Sequence, residues 1–391
     1  MHLLKFRIIG HPAFANASWI EVGEGVNILA PQTIHQAQSL LHSLQAVNPP
    51  FDCRQLDPFA DFPLYSQTHP YRRKIIPSKK TAAIAIYAAT PTLVGLLAAI
   101  DPLYIETDRI EVGRRRDYSR WMNLVELPAS ARWSEIAAVV LPLVSHLSPE
   151  AGPWRDSFEE TVRSWQGTDR IRGERADWLR IQLQRLRTLL PVPSQDQLDW
   201  CRQRIELAAH FLQAKALVAT RLPLFYALPP TNQAHPAHDP LASLAKRLVE
   251  RYPEKTVLER AIARLNHQWQ GCQAGIQLQL GPESGPLVAT SNAVDDLKDG
   301  SSAMPAPVLG PFMRGVALLH QAVYGCDPIF LLDLHHLQLT RQDQSNPFEV
   351  LHRICAHFQC LVIPDQILLD LCRDPGRTPL VKSARLRIVA V

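Results

Sequence analysis

With 391 residues, 46% of them hydrophobic and 20% charged, the chain has enough apolar material for a packed core in two or three lobes, which excludes disordered, collagen-like and disulfide-miniprotein classes. Its 41 basic and 37 acidic side chains leave a formal +4, too little on this length to announce nucleic-acid binding through bulk charge, so any basic surface is local. Seven scattered cysteines without a C-x-x-C pair read as reduced thiols in a cytoplasm, and MHLLKFRIIG has neither the apolar stretch nor the cleavage site of a secretion signal.

The opening residues read as strands. Leu3, Leu4, Phe6, Ile8 and Ile9 are interleaved with Lys5 and Arg7; residues 19–22 form a second strand; Gly23-Glu24-Gly25 turns the chain; and residues 26–29 form a third, apolar and buried. A helix follows, with Ile34, Ala37, Leu40, Leu41 and Leu44 at helical spacing, ended by Asn48-Pro49-Pro50. Residues 51–80, rich in Pro, Asp and aromatics, read as a long irregular loop. The twenty residues from Thr81 to Ile100 are long enough for a bilayer span, but Pro91 divides them into an alternating β-branched half and a helical half, which predicts a buried strand and a short buried element. Strand-like pieces follow at 104–106 and 110–112.

Residues 154–270 read as helical. Leu179, Leu183, Leu186 and Leu190 form one seam; after Pro191-Val192-Pro193 a capping box of Ser194 and Gln197 opens a second helix with Leu198, Cys201, Ile205, Ala208 and Leu212 inward, and so short a connection predicts an antiparallel hairpin. Strands resume at Ile276–Leu280 and 287–289. The last stretch predicts a helix over 312–323, an apolar strand PIFLLDL, a helix over 347–358, a strand QCLVIPD and the terminal SARLRIVAV.

Four pieces, in this order, carry a resemblance. NILAPQTIHQAQSLLHSL resembles the strand, P-loop and helix of ATP-binding-cassette heads of the RecF and SMC type; VLGPFMRGVALLHQAV resembles a worn signature helix; PIFLLDL, ending near Asp333, resembles the Walker B strand; QCLVIPD resembles the strand that leads to a switch histidine. The resemblance implies an α/β, P-loop NTPase-like head with a sheet, flanking helices and an inserted helical hairpin lobe. It divides the chain into an N-terminal α/β half (1–150), a helical insertion (151–270) and a C-terminal α/β half (271–391).

The same alignment implies that the nucleotide chemistry has gone. Asn27 precedes the P-loop position; there Pro31 stands for the first glycine, Gln36 for the second, Ala37 for the lysine and Gln38 for the hydroxyl residue. A P-loop wraps phosphates in backbone N–H groups, neutralises them with lysine and holds magnesium with a hydroxyl. Pro31 has no N–H and Ala37 has no charge. Asp333 remains, but Leu334 follows where the family carries a catalytic glutamate; Gly310, Pro311 and Phe312 replace the signature, and Pro364 or Asp365 replaces the switch histidine. No catalytic residue, metal or cofactor is assigned.

Asp333 also suits a strand-end cap or ion-pair partner. His335 and His336, adjacent on a strand, would point to opposite faces and miss a common metal; His352 with His357 and Cys355 with Cys360 are poorly spaced for joint ligation. Arg72, Arg73, Lys74, Lys79, Lys80, Arg114, Arg115 and Arg116 are candidate nucleic-acid contacts, or else a solvated, salt-bridged rim. Residues 155–221 hold 12 basic and 9 acidic side chains, which suits a nucleic-acid track or a protein-docking surface.

These readings favour a non-catalytic subunit of a DNA-processing, repair or phage-defence complex, acting as an architectural partner of a catalytic ATPase or nuclease. It would pair as a dimer or hetero-complex through the head, could contact double-stranded DNA, and would have no membrane association. The alternatives are a stand-alone DNA-binding protein, and an enzyme whose site is built from residues such as His335, His336 or Asp365.

Overall fold

The computed structural model describes residues 1–11, 18–30, 34–50, 59, 62, 79–147, 151–190, 194–228, 240–272, 276–281, 285–290, 304–338, 347–355, 357–373 and 386–390. In chain order the first elements are β1 (His2–Ile8), β2 (Ile20–Glu21), β3 (Val26–Ala30), α1 (Ile34–Gln45), β4 (Thr81–Ala88), α2 (Pro91–Ala98), β5 (Arg109–Arg115) and β6 (Arg120–Leu124). Then come α3 (Trp133–Ser145), α4 (Gly152–Arg163), α5 (Glu174–Leu189), α6 (Gln195–Ala219), β7 (Phe225–Leu228), α7 (Pro240–Arg251), α8 (Lys255–Cys272), β8 (Ile276–Gly281) and β9 (Gly285–Thr290). The last are β10 (Met304–Pro305), α9 (Ala306–Tyr324), β11 (Ile329–Asp333), β12 (Leu337–Gln338), α10 (Pro347–Cys355), β13 (Gln359–Ile363), α11 (Gln366–Arg373) and β14 (Leu386–Ala390). The α/β class expected from the sequence is the one observed.

The chain forms two compact units, one of Met1–Ala88, Ile110–Met122 and Arg221–Val391, the other of Ala89–Arg109 and Asn123–Thr220. The first unit is built on two five-stranded sheets, with the two-stranded pairs β8-β9 and β10-β12 beside them among the described residues. One has the strand order β2-β1-β4-β5-β6, with β1 antiparallel to both neighbours. In β1 the buried residues are Leu3, Phe6 and Ile8, so the inward spacing is three and then two. The register against β4 shifts between Leu3 and Lys5, and that irregularity returns Phe6 to the inner face.

The other sheet, in the order β14-β3-β13-β11-β7, is entirely parallel. Its strands are continuous apolar runs because helices cover both faces of such a sheet: all five residues of β13 are buried, as are the first four of β3 and of β11. Leu244 and Leu248 of α7, Leu258 and Trp269 of α8 and Met313 and Val316 of α9 share one core with Tyr226 of β7 and Phe330 of β11. Residues 240–272 therefore belong to the sheet unit, which corrects the expected helical insertion over 151–270. Helical periodicity reveals an apolar face and leaves open which surface covers it. The helix expected from 312 begins at Ala306, so Gly310, Pro311 and Phe312 lie within α9, and the Gly310 Cβ position is 3.8 Å from the Ile354 backbone.

The second unit is helical. Thr90 caps α2 by accepting the Leu93 N–H (3.3 Å), Pro91 occupies the first turn, and Leu93 and Leu97 are buried, as the strand-then-short-helix reading requires. Residues 104–106 are not a strand: Asp101 accepts the Leu103 N–H (3.0 Å) and starts a 3-10 turn over Pro102–Glu106. Trp154, Phe158, Trp178, Trp165 and Trp133 form a continuous chain of ring contacts with centroids 5.0–5.5 Å apart. The α5–α6 hairpin is antiparallel, since Arg180 pairs with Glu206 (2.7 Å) while the later Arg187 pairs with the earlier Asp199 (3.0 Å). Two details differ from expectation. Ser194 makes no capping hydrogen bond, and Leu212 is 65% exposed, because beyond Ile205 the buried side of α6 moves to Leu207, Ala214 and Val218.

Candidate functional site at the carboxyl edge of the parallel sheet

In an open parallel sheet, ligands bind beyond the carboxyl ends of the strands, at the place where connections leave in opposite directions. Here that place is β3: its neighbours are β13 on one side and β14 on the other, while the chain leaving β3 next enters this sheet at the far edge, in β7. Ala30, Asp333 and Ile363 end three parallel strands at one edge, with Asp333 in register with Ile363. Residues 31–33, including Pro31, lie outside the described residues; Gln36, Ala37 and Gln38 are already in α1, and Gln36 is buried.

Asp333 is committed locally. Its Oδ1 accepts the backbone N–H of His335 (3.1 Å) and lies 2.9 Å from His335 Nδ1, closing a 3-10 turn over Leu334–His336. The strand-end role weighed for it from the sequence is the geometry found. The histidine pair thus sits on a turn rather than on a strand, which corrects the expectation for His335 and His336. At the neighbouring strand end Asp365 caps α11, its Oδ1 accepting the Leu368 N–H at 2.8 Å. Among the described residues no group of three His, Cys, Asp or Glu side chains could hold a metal ion.

At this edge Ala37 and Gln38 lie in α1, and the Asp333 oxygen closes its own turn. Phe312, in α9, is 4% exposed and serves the core.

Asn27, fully buried near the amino end of β3 and so away from this edge, pins the structure. Its Oδ1 accepts the Gly23 N–H (2.7 Å), and its Nδ2 faces the carbonyls of Gly23 (2.9 Å), Gly25 (3.0 Å) and Cys360 (3.3 Å), so the turn before β3 is locked to β13.

No known family model and no curated protein matches the sequence. Solved structures do resemble the chain along nearly its whole length. The Smc head domain of Pyrococcus furiosus bound to the C-terminal domain of ScpA is 12% identical, with 94% of this chain and 91% of that one covered and a TM-score of 0.36. The SMC head of Thermotoga maritima is 12% identical (95% and 92% covered, TM-score 0.29), and the recombination mediator RecF is 11% identical (94% and 93%, TM-score 0.32). Likenesses of this size leave function to be argued from the residues themselves.

The basic candidates separate by environment. Arg72, Arg73 and Lys74 lie outside the described residues, and Lys79 and Lys80 are exposed. Arg114 is a structural clamp: its guanidinium donates to the carbonyls of Ala46 (2.7 Å), Val47 (3.2 Å) and Tyr118, so it holds the chain just after α1. Arg115 donates to Ser119 Oγ (3.2 Å) across the β5–β6 turn. Arg116 lies over the Phe62 ring, 5.4 Å from its centroid, and desolvation holds its pKa below the usual arginine value. The structure does not bring the three arginines to one common task.

Three buried polar residues were not singled out from the sequence. Gln359 joins the two sheets through Leu3, Asn48 accepts from Arg120 (2.7 Å), and His320 is fully buried in α9. Asn48 was legible only as part of a helix-ending Asn-Pro-Pro. Cys355 and Cys360, set aside by spacing, are hydrogen-bonded in the core, where burial pushes the Cys360 thiol up.

Proposed function

We propose that the chain is a non-catalytic head of the RecF/SMC type, one that keeps the α/β frame and has lost the chemistry of triphosphate, and that it serves as an architectural subunit beside a catalytic ATPase or nuclease in DNA processing, repair or phage defence. The observation that carries this reading is Asp333, which stands at the expected strand end but closes on the N–H and ring of His335. The residue types around it point the same way: Ala37 supplies no charge, Gln38 no hydroxyl and Leu334 no general base. Removal of one charge-stabilising donor from such a site costs about 3 kcal/mol, and here several are absent together. A head without its own phosphate grip retains a use only where a partner supplies the chemistry.

The test has two arms. The purified chain with Mg-ATP is expected to show no turnover above a blank, and isolation from the native host in mild salt is expected to bring with it a companion that carries an intact G-x-x-x-x-G-K-[ST] segment. Turnover by the chain alone that disappears in Asp333→Ala overturns the proposal.

A further inference from the structure

The α5–α6 hairpin carries a groove of about 390 Å³, wholly within the helical unit. Its apolar lining is Ile181, Leu183 and Leu198; the two leucines belong to the hairpin core, but Ile181 is 55% exposed. Four arginines surround the groove and their partners divide them. Arg180 is held by Glu206 and Asp177, and Arg187 by Asp199. Arg185 and Arg202, one on each helix, are exposed and have no carboxylate partner among the described residues.

We infer that this groove docks an acidic amphipathic segment of a partner protein, whose apolar side chains lie on Ile181 while its carboxylates meet Arg185 and Arg202. The charge pattern selects this occupant. A second copy of the chain would set the same excess of guanidinium groups against itself, since a two-fold interface opposes like patches. A nucleic-acid backbone would be left facing the exposed Ile181 side chain, and no aromatic ring lines the groove for a base to stack on. An apolar anchor between two charged flanks is the pattern of helix-in-groove recognition. This inference rests on the hairpin alone and stands or falls independently of the reading of Asp333.

The experiment places a photoreactive phenylalanine analogue at position 181 of the full chain in its native host, with the same analogue at the exposed position 159 of α4 as control. The expected product is a crosslink to a protein segment rich in Asp and Glu, with apolar residues three or four apart. Its yield should fall roughly tenfold in Arg185→Glu/Arg202→Glu and persist in Arg185→Lys/Arg202→Lys, since the first inverts the flanking charge and the second keeps it. Unchanged circular dichroism in both variants ensures that the loss reports the groove. A yield no higher than at position 159 overturns the inference. So does a crosslink to nucleic acid, to a second copy or to a segment without acidic residues, and so does a yield indifferent to charge reversal.

Discussion

Gln359 and Leu3 hold each other by two hydrogen bonds: Leu3 N–H donates to Gln359 Oε1 (2.7 Å), and Gln359 Nε2 donates to the Leu3 carbonyl (2.6 Å). Nε2 also reaches the carbonyl of Gly23 (2.8 Å), which Asn27 shares. One amide at the start of β13 thus stitches the antiparallel sheet, the β2–β3 turn and the parallel sheet together. Gln359→Leu removes that stitch and leaves backbone groups buried without partners, so it should lower stability by about 1–3 kcal/mol, seen as a lower urea midpoint at unchanged slope. Gln359→Glu should be no better, since a carboxylate still accepts from Leu3 N–H but repels the two carbonyls.

His320 sets a pH dependence. Leu224 N–H donates to its Nε2 (3.2 Å), and its Nδ1 lies 2.7 Å from the Cys326 carbonyl, so the ring is neutral with the proton on Nδ1. Burial lowers its pKa from 6.5 to about 4, against a smaller opposing effect of the Cys326 hydrogen bond. The unfolded chain therefore binds more protons between those values. The His320 contribution, of order 3 kcal/mol, is whole above pH 6.5 and lost progressively as the pH falls towards 4. Urea titrations at stepped pH should show a steeper acid loss in the wild type than in His320→Gln.

Gly113 is required by Trp121. A Cβ at position 113 would lie 2.1 Å from Trp121 Cε2, and the indole is held by its N–H donating to Thr81 Oγ1 (3.1 Å). Gly113→Ala should cost about 1–3 kcal/mol through overpacking. Most of that cost should vanish in a Trp121→Ala background, a coupling that a double-mutant cycle measures.

Arg114 and its neighbour should part company on mutation. Arg114→Ala strips the carbonyls of Ala46 and Val47 of a charged donor and should cost about 2–3 kcal/mol in thermal unfolding. Arg115→Ala should stay within about 0.5 kcal/mol. If the chain binds duplex DNA, Lys79→Ala/Lys80→Ala should reduce the salt slope of affinity without changing the melting temperature, because both lysines are exposed.

Asp333→Asn keeps an oxygen for the His335 N–H and should melt close to the wild type. Asp333→Ala loses it and should melt lower by the worth of a strand-end turn, about 1 kcal/mol. In neither variant should any nucleotide-dependent property change.

Local order was legible in the sequence wherever one short segment decides its own state. The apolar runs of β11 and β13, the Pro91 break after β4 and the leucine seam of α5 all appear where periodicity places them, since burial on a given face imposes the pattern directly. The residue types at positions 37, 38 and 334, alanine, glutamine and leucine, were equally plain, because they are read directly. Tertiary structure alone decided which core α7 and α8 join, why Leu3 and Phe6 share a face, that Arg114 is a clamp, and that Asp333 bonds its own turn. Each of these depends on a partner distant in sequence or on a local bend, and neither an apolar stripe nor a guanidinium encodes the identity of what it will meet.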